Sequence, residues 1–99
     1  MIVLTAHFEA TPRHTAELVA RAQALLPLSR QEEGCISYEF FTDTTNPNHF
    51  LFLETWRDRT ALDAHFTQPH FRDFIHHLPN LIISQPSIVT YQTDGPQSA

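Results

Sequence analysis

Apolar residues recur with two periods along the chain, and the change of period separates strands from helices. In Ile2–Glu9 one of the two alternating sets of side chains is wholly apolar, which predicts a β-strand with a buried face. Over Leu18–Leu26 the apolar residues follow helical spacing, and Thr11, which precedes a proline, predicts the start of this helix. Pro27 cannot donate a backbone hydrogen bond, so we expect a kink or an end there, with one further turn before Gly34.

Two aromatic-rich segments follow this helix. Cys35–Phe41 and Phe50–Trp56 have the composition of β-strands, and the turn-forming residues of Asp43–Asn48 lie between them. The pattern predicts a hairpin with a longer loop. Both alternating sets of side chains are apolar in these strands, so we expect both faces of the sheet to be buried.

Two short helices and a final strand complete the pattern. Asp58 or Thr60 is expected to cap the first helix, and the second is expected to begin at Pro69 and to end at Pro79. Ser87–Gln92 predicts the last strand.

The order β-α-β-β-α-β predicts an α+β, ferredoxin-like fold with an antiparallel sheet and helices on one face. We expect one domain over residues 1–92 and a flexible tail over residues 93–99. Because the helices cover one face only, a second copy of the chain is the expected cover for the other, in a homodimer formed through the sheet face.

Charge and cysteine content narrow the possible partners and compartments. The 99 residues include six Lys and Arg residues, eleven acidic residues and one cysteine, with a net charge of −5. This balance disfavours binding to nucleic acid or to an anionic membrane, since both need clustered cations. No signal or membrane-spanning segment is evident, and one cysteine cannot form an internal disulfide, so we expect a soluble, cytoplasmic protein.

Four segments together resemble the antibiotic biosynthesis monooxygenase (ABM) domain. They combine the patterns E-x-W-x-D, A-L-x-x-H and P-H-F-x-x-F with an upstream E-E-G-C, and the resemblance extends over Ile2–Gln92; the segments are Glu32–Glu39, Glu54–Asp58, Ala61–His65 and Pro69–Phe74. The resemblance implies a dimeric α/β barrel with a pocket between the sheet and the helices of each subunit. It also implies oxidation of flat, quinol-like substrates by O₂ without metal or flavin.

We therefore expect a cofactor-independent monooxygenase that oxidises a small quinol, anthrone or similar aromatic substrate with O₂. Fold membership does not fix the chemistry, and two alternatives stay open. One is a non-catalytic, stress-associated dimer that binds an aromatic metabolite. The other is a non-redox isomerase of a small oxygenated metabolite.

The candidate catalytic residue is His65, at the last position of A-L-x-x-H and on the helical stripe of Ala61 and Leu62. A neutral imidazole facing inward could act as a base or as a hydrogen-bond donor to a phenolic oxygen, or it could be a structural histidine bonded to a backbone carbonyl. Six further residues are candidates for binding the substrate: His7, Phe52, Trp56, Phe66, His70 and Phe74. A structural role at the helix start is the alternative for His70, and a solvated edge position is the alternative for His7.

Seven histidines raise the question of a metal. Helical metal pairs need i,i+3 or i,i+4 spacing, whereas His65 and His70 are five residues apart with a proline between them, so no metal or other cofactor is expected. Haem-degrading relatives imply an axial histidine on the last helix, where this chain has Ile75, with His76 one step off the required face. Haem degradation is therefore not expected.

Three polar residues of the hairpin are assigned no catalytic role. Glu39 and Glu54 are interpreted as a cross-strand pair with an arginine nearby. Tyr38 is assigned to the dimer interface in preference to the pocket.

Overall fold

Four strands form one open antiparallel sheet in a computed structural model that describes residues 1–99. Their order across the sheet is β2-β3-β1-β4, and their bounds are β1 Ile2–Glu9, β2 Cys35–Asp43, β3 Asn46–Trp56 and β4 Ser87–Gln92. β1 pairs with β3 on one side and with β4 on the other. This architecture confirms the predicted α+β ferredoxin-like fold.

Three α-helices lie on one side of the sheet: α1 Thr15–Arg30, α2 Arg59–Phe66 and α3 Pro69–His77. We call this side the covered face; on β1 it carries the buried Ile2, Leu4, Ala6 and Phe8. The opposite side, the open face, carries Val3, Thr5, His7 and Glu9 of β1. None of the helices has the length and apolarity that a membrane span requires.

The first helix differs from its prediction at its start. A 3₁₀ turn over Pro12–His14 precedes α1, and Thr11 makes no side-chain cap. At its other end the helix continues past Pro27 to Arg30, which agrees with the further turn expected before Gly34. Pro27 and Gln23 are both exposed, so water can hydrate the Gln23 carbonyl that proline leaves without a donor.

The hairpin loop is shorter than predicted. β2 and β3 extend through most of Asp43–Asn48 and leave only two residues between them. Asp43 Oδ1 accepts hydrogen bonds from the Thr45 amide at 2.8 Å and the Thr45 hydroxyl at 2.7 Å. This local Asx-type turn allows the strands to pair almost to their ends.

Gly34 brings α2 close to the start of β2. Its φ is +83°, and a Cβ at this position would lie 2.5 Å from the Ala61 Cβ. A bulge between Cys35 and Ser37 then shifts the register, so Ile36 is exposed while Tyr38 is buried on the covered face. The turn and the bulge together direct the Tyr38 side chain under the helices.

Backbone pairing at the chain ends extends one residue beyond β4. The Thr93 amide donates to the Met1 carbonyl at 2.9 Å, and the Met1 amino group donates to the Thr93 carbonyl at 3.0 Å. Residues 94–99 contain no helix or strand. A flexible tail stays a prediction.

Candidate active site

An apolar cavity of about 50 Å³ lies between the covered face and the helices. Fourteen residues line it, contributed by all four strands, all three helices and the segment between α3 and β4: Leu4, Ala6, Phe8, Leu25, Tyr38, Phe52, Glu54, Phe66, Phe71, Phe74, Ile75, Leu78, Pro86 and Ile88. Glu54 is the only charged residue among them. Such a cavity favours a flat, apolar ligand that presents one polar group to the carboxyl.

The cavity opens toward a surface groove of about 550 Å³ beside α3 and β4. Ile75, Leu78, Pro86 and Ile88 line both spaces. The side chains of Ile75 and Ile88 are partly exposed. A ligand larger than the enclosed cavity therefore has continuous apolar room at this mouth.

Glu54 reaches the cavity because it belongs to the buried set of β3 side chains, together with Phe50, Phe52 and Trp56. It is 4% exposed, and the Trp56 indole Nε1 donates to its Oε1 at 3.0 Å. Burial raises the pKa of Glu54 to about 7, although the hydrogen bond from the Trp56 indole partly opposes the shift. At neutral pH the carboxyl is populated in both protonation states, as a group that takes and returns protons should be.

Tyr38 lies opposite Glu54 in the β2–β3 register and is 2% exposed. Its hydroxyl is 3.3 Å from His65 Nε2. Burial and the nearby Glu54 charge raise the pKa of Tyr38 far above its ordinary value, so the phenol stays neutral. Tyr38 therefore joins the cavity to the histidine behind it.

His65 is fully buried, and both of its ring nitrogens have partners. Nδ1 lies 2.7 Å from Glu32 Oε2, on the side of the ring away from Tyr38. Burial lowers the pKa of His65, although the Glu32 carboxylate opposes the shift. The imidazole is thus held neutral and fixed in orientation between a carboxylate and a phenol.

Glu32 is shared by two histidines. Its Oε2 also lies 2.6 Å from His70 Nε2, and the side chains of Glu32 and His70 are 10% and 16% exposed. Both residues border a surface cleft of about 370 Å³, which is further lined by Leu28, Gln31, Glu33, Ala64 and Gln68. Glu32 therefore links the buried His65 to a solvent-filled cleft.

The three groups Glu32, His65 and His70 also have the composition of a metal site. One ligand atom from each lies within 4.8 Å of the others, and two histidines with one carboxylate bind zinc or ferrous iron in many proteins. The spacing argument from the sequence considered pairs on one helix, and it missed this cluster because His65 and His70 lie on two different helices and Glu32 lies in the turn after α1. Here the three groups are joined directly by hydrogen bonds.

The predicted site residues other than His7 separate into three groups. Phe52, Phe66 and Phe74 line the cavity, whereas His65 and Trp56 lie one layer behind it and contact Tyr38 and Glu54. His70 lies at the cleft. The direct contact with substrate expected of His65 is thus absent from this geometry.

His7 requires a correction, because it lies on the open face and away from the cavity. Side chains alternate along β1, so His7 is exposed while Ala6 and Phe8 are buried. Its Nδ1 is 3.2 Å from Nε2 of His49 on the neighbouring strand. Haem ligation finds no support in the last helix either, since Ile75 and not His76 lines the cavity.

Sequence reasoning assigned no role in the site to Glu54 or Glu32, and its preferred assignment of Tyr38 to the dimer interface is wrong, because Tyr38 is buried and lines the cavity. Glu54 does not pair with Glu39, which lies opposite Leu53 and is exposed. The signal for Glu54 was its place in the apolar set of Phe50, Phe52 and Trp56, where a carboxyl is costly unless it has a function or a partner. Nothing in the spacing of Glu32 indicates its two partners, because they lie 33 and 38 residues away.

Comparison with known proteins gives a consistent family. The family model described as antibiotic biosynthesis monooxygenase matches residues 1–77. The chain is 41% identical over 91 residues to protein sll1783 of Synechocystis, which is uncharacterized, covering 92% of this chain and 62% of that protein's length. It is 37% identical over 75 residues to the Bacillus subtilis protein YcnE, whose name assigns a monooxygenase activity only provisionally, covering 76% of this chain and 79% of YcnE.

The fold has a close counterpart among solved structures. A crystal structure of a Deinococcus radiodurans protein named for the same family superposes with a TM-score of 0.93 at 26% identity. The match covers 100% of this chain and 98% of the other. Sequence and structure thus agree on the family.

Proposed function

The chain belongs to the antibiotic biosynthesis monooxygenase family, and from that premise we propose that it is a monooxygenase for a small aromatic substrate such as a quinol or an anthrone. The single observation that carries the proposal is the apolar cavity with one carboxyl, Glu54, whose pKa is raised to about 7. Phe52, Phe66 and Phe74 offer faces and edges for contact with a flat ring, which extends from the 50 Å³ cavity into the groove at its mouth. The substrate then supplies the electrons for O₂ itself, so that the chemistry requires no cofactor.

Glu54 is the proposed catalytic base. As a carboxylate it takes a proton from an acidic C–H or O–H of the substrate, and the resulting anion reduces O₂ and forms a C–O bond. Return of the proton to the peroxide, followed by loss of water, leaves a new carbonyl. One O₂ is consumed, two substrate hydrogens leave in the water, and the enzyme regains its starting protonation state.

His65 keeps a role in this proposal, but an indirect one. Its Nε2 contacts Tyr38 and its Nδ1 contacts Glu32, so it orients Tyr38 beside Glu54 without touching the ring of the substrate. We therefore move the proposed base from His65 to Glu54 and regard His65 as a positioning residue.

A panel of quinols and anthrones tests the proposal through O₂ consumption and product formation, in air and under argon. We expect O₂-dependent turnover that Glu54→Gln reduces by about 100-fold or more. Glu39→Gln is the matched control, because Glu39 lies on the neighbouring strand, is exposed and does not line the cavity. Saturable quenching of Trp56 fluorescence without product would favour the binding-protein alternative, and turnover that persists under argon would favour an isomerase.

We also propose that two chains pair through their open faces into a dimeric barrel. The support is the apolar content of that face: Phe41 and Tyr91 are 44% and 54% exposed, and Leu51, Leu53 and Val89 lie on the same side. Light scattering at micromolar concentration should give twice the chain mass of 11.4 kDa. Val89→Glu should reduce this to the monomer mass, and a monomeric parent protein would contradict the proposal.

A reducing compartment such as the cytoplasm is the proposed location. Cys35 is a free thiol, and burial together with Glu32 and Glu54 raises its pKa to about 11. A thiol of this kind stays protonated and unreactive, as suits a residue that packs against the core.

A further inference from the structure

We propose that Tyr38, His65 and Glu32 form a proton path between Glu54 in the cavity and the surface cleft beside His70. The inference rests on the proposed function, because it assigns a task to the groups behind the proposed base. It assigns a proton-transfer role to Tyr38 and Glu32 as well as to the buried histidine.

The direction of each hydrogen bond follows from the groups that can only accept. An ionised Glu32 accepts from both histidines, so His65 must carry its proton on Nδ1 and His70 must carry one on Nε2. A neutral His65 then has a free lone pair on Nε2. The Tyr38 hydroxyl, 3.3 Å away, must therefore donate to that nitrogen.

The cavity end of the path continues in the same direction. Because the Tyr38 hydroxyl gives its proton to His65, its oxygen is free to accept one from a protonated Glu54, which lies opposite Tyr38 in the β2–β3 register and lines the same cavity. Both donors between Tyr38 and Glu32 thus point outward, which is the arrangement that a stepwise proton transfer requires.

The path reaches water at its Glu32 end but not at its Glu54 end. Glu54 is 4% exposed and shares its cavity with apolar side chains, so a bound substrate would close its remaining contact with solvent. Glu32 and His70 border the surface cleft instead. The path therefore keeps the buried carboxyl in exchange with solvent while the cavity is full.

The proton count of the proposed reaction fits such a path. When Glu54 takes a proton from the substrate, one proton moves from Glu54 to Tyr38, one from Tyr38 to His65 Nε2, and one from His65 Nδ1 to Glu32. Each step breaks one O–H or N–H bond and forms another, and the net result is one proton on Glu32. When the peroxide is protonated the same steps run in reverse, so no ring has to rotate within a turnover.

Charged groups around the path come from several elements. Arg30 is the last residue of α1, and Glu32 follows two residues later. Arg30 Nε donates to the Tyr38 carbonyl at 2.9 Å. The charges of Glu32 and Glu54 both act on Cys35 of β2 and help to raise its pKa, and His70 of α3 faces Glu32. Among these groups only Glu32 connects the buried histidine with the cleft.

The first test needs no substrate and so stands apart from the proposed function. Nitrogen-15 NMR of histidine-labelled, chelator-treated protein at pH 7 should show His65 protonated at Nδ1 and unprotonated at Nε2. The opposite tautomer would make Tyr38 the acceptor from His65 and would overturn the path, even if the enzyme turned over. Chelator treatment removes any metal held by Glu32, His65 and His70, which would by itself change the tautomer.

The second test uses turnover with a substrate that the wild-type protein oxidises. Glu32→Gln keeps an oxygen that accepts from His65 but cannot take up a proton, and we expect turnover to fall by about 10-fold, less than the ~100-fold loss from removing the base itself. Added imidazole should restore the rate in proportion to its concentration. Glu33→Gln is the matched control, since Glu33 is adjacent and its side chain is 91% exposed.

The outcomes separate the path from a structural role. Loss of turnover in Glu32→Gln without rescue by imidazole would mean that Glu32 only holds His65 in place, and would overturn the proposal. Tyr38→Phe, which keeps the ring and removes only the hydroxyl, should show the same reduced rate and rescue. Wild-type rates in both variants would overturn it as well.

Discussion

The two faces of the sheet are formed by the same strands, but polar groups are buried on the covered face and exposed to water on the open face. On the covered face a histidine, a carboxyl and a phenol are buried, and each is held by a partner within the chain: Trp56 for Glu54, Glu32 for His65 and His65 for Tyr38. On the open face His7 and His49 contact each other at 3.2 Å in an exposed position. Water can solvate the second pair, whereas the first group must satisfy its hydrogen bonds internally.

This difference shows which histidines can be fixed in one protonation state. The pKa of His65 is lowered by burial, and a carboxylate orients its ring. The number of histidines is therefore a poor indicator of the chemistry, and the carboxylate of Glu32 beside His65 and His70 is a better one.

The largest expected difference between the faces concerns two phenylalanines. Phe52→Ala removes a cavity-lining ring that is 3% exposed, and should lower the free energy of unfolding by about 3–5 kcal/mol. Phe41→Ala removes a ring from the open face and should cost about 1 kcal/mol or less in dilute protein. Urea unfolding measures both, and equal losses at low concentration would show that the faces are not different.

The next effect is a pH dependence that Glu54 imposes on stability. Its folded pKa of about 7 exceeds the ordinary 4.5, so between these values the folded state holds a proton that the unfolded state has lost. Stability from this group is therefore full below about pH 4.5 and falls by about 3 kcal/mol as the pH rises through 7. Glu54→Gln should remove this decline, as measured by urea unfolding from pH 4 to 8, while Glu39→Gln should leave it.

His65 contributes to stability with the opposite sign. Its folded pKa lies below the ordinary 6.5, so the stability it provides is present above pH 6.5 and is lost as the pH falls below that value. Subtracting the free energy of unfolding of Glu54→Gln from that of the wild-type protein at each pH removes the contribution of His65, since both proteins retain this residue. A difference curve without a slope between pH 4.5 and 7 would contradict the raised pKa of Glu54.

A smaller effect tests how the helices are seated on the sheet. Gly34→Ala combines a positive φ with a close approach to Ala61, and should cost about 2 kcal/mol or more. Gly95→Ala is the control: its φ is also positive at +120°, but no atom lies within 4 Å of the added Cβ. Thermal unfolding should show a clearly larger loss for Gly34→Ala than for Gly95→Ala, and similar losses would show that backbone strain, and not the contact with α2, decides the cost.

The smallest effect compares the two histidine environments directly. His70→Ala removes a hydrogen bond to the partly buried Glu32 and should cost about 1–2 kcal/mol. His49→Ala removes only an exposed contact with His7 and should stay within about 0.5 kcal/mol of the parent. A cost for His49→Ala equal to that of His70→Ala would mean that the open-face pair is also buried, as in a dimer.

Local patterns predicted the elements well but predicted side-chain partners poorly. The alternation in Ile2–Glu9 located β1, and the residues Leu18, Ala22 and Leu25 located the buried side of α1. The sequence left a kink and an end at Pro27 both open, because the cost of Pro27 depends on whether the Gln23 carbonyl can reach water. The length of the hairpin loop was overestimated, because strand pairing extends through residues that have turn propensity.

Within the site, the aromatic wall was predictable and the polar centre was not. Phe52, Phe66 and Phe74 were found because large apolar residues on the inner side of their elements must meet in the core. Glu54 and Tyr38 meet through the cross-strand register, which the bulge at Cys35 and Ser37 shifts. No local pattern reveals such a shift.

The sequence by itself determined the α+β fold, the family and the aromatic character of the site, because periodicity and composition act over a few neighbouring residues. Only the tertiary structure decided which ionisable groups meet. Glu32 joins His65 and His70 across 33 and 38 residues, and His7 turns away from all of them. Burial and hydrogen bonding between distant elements set the protonation of these groups, and those conditions exist only once the helices are packed on the sheet.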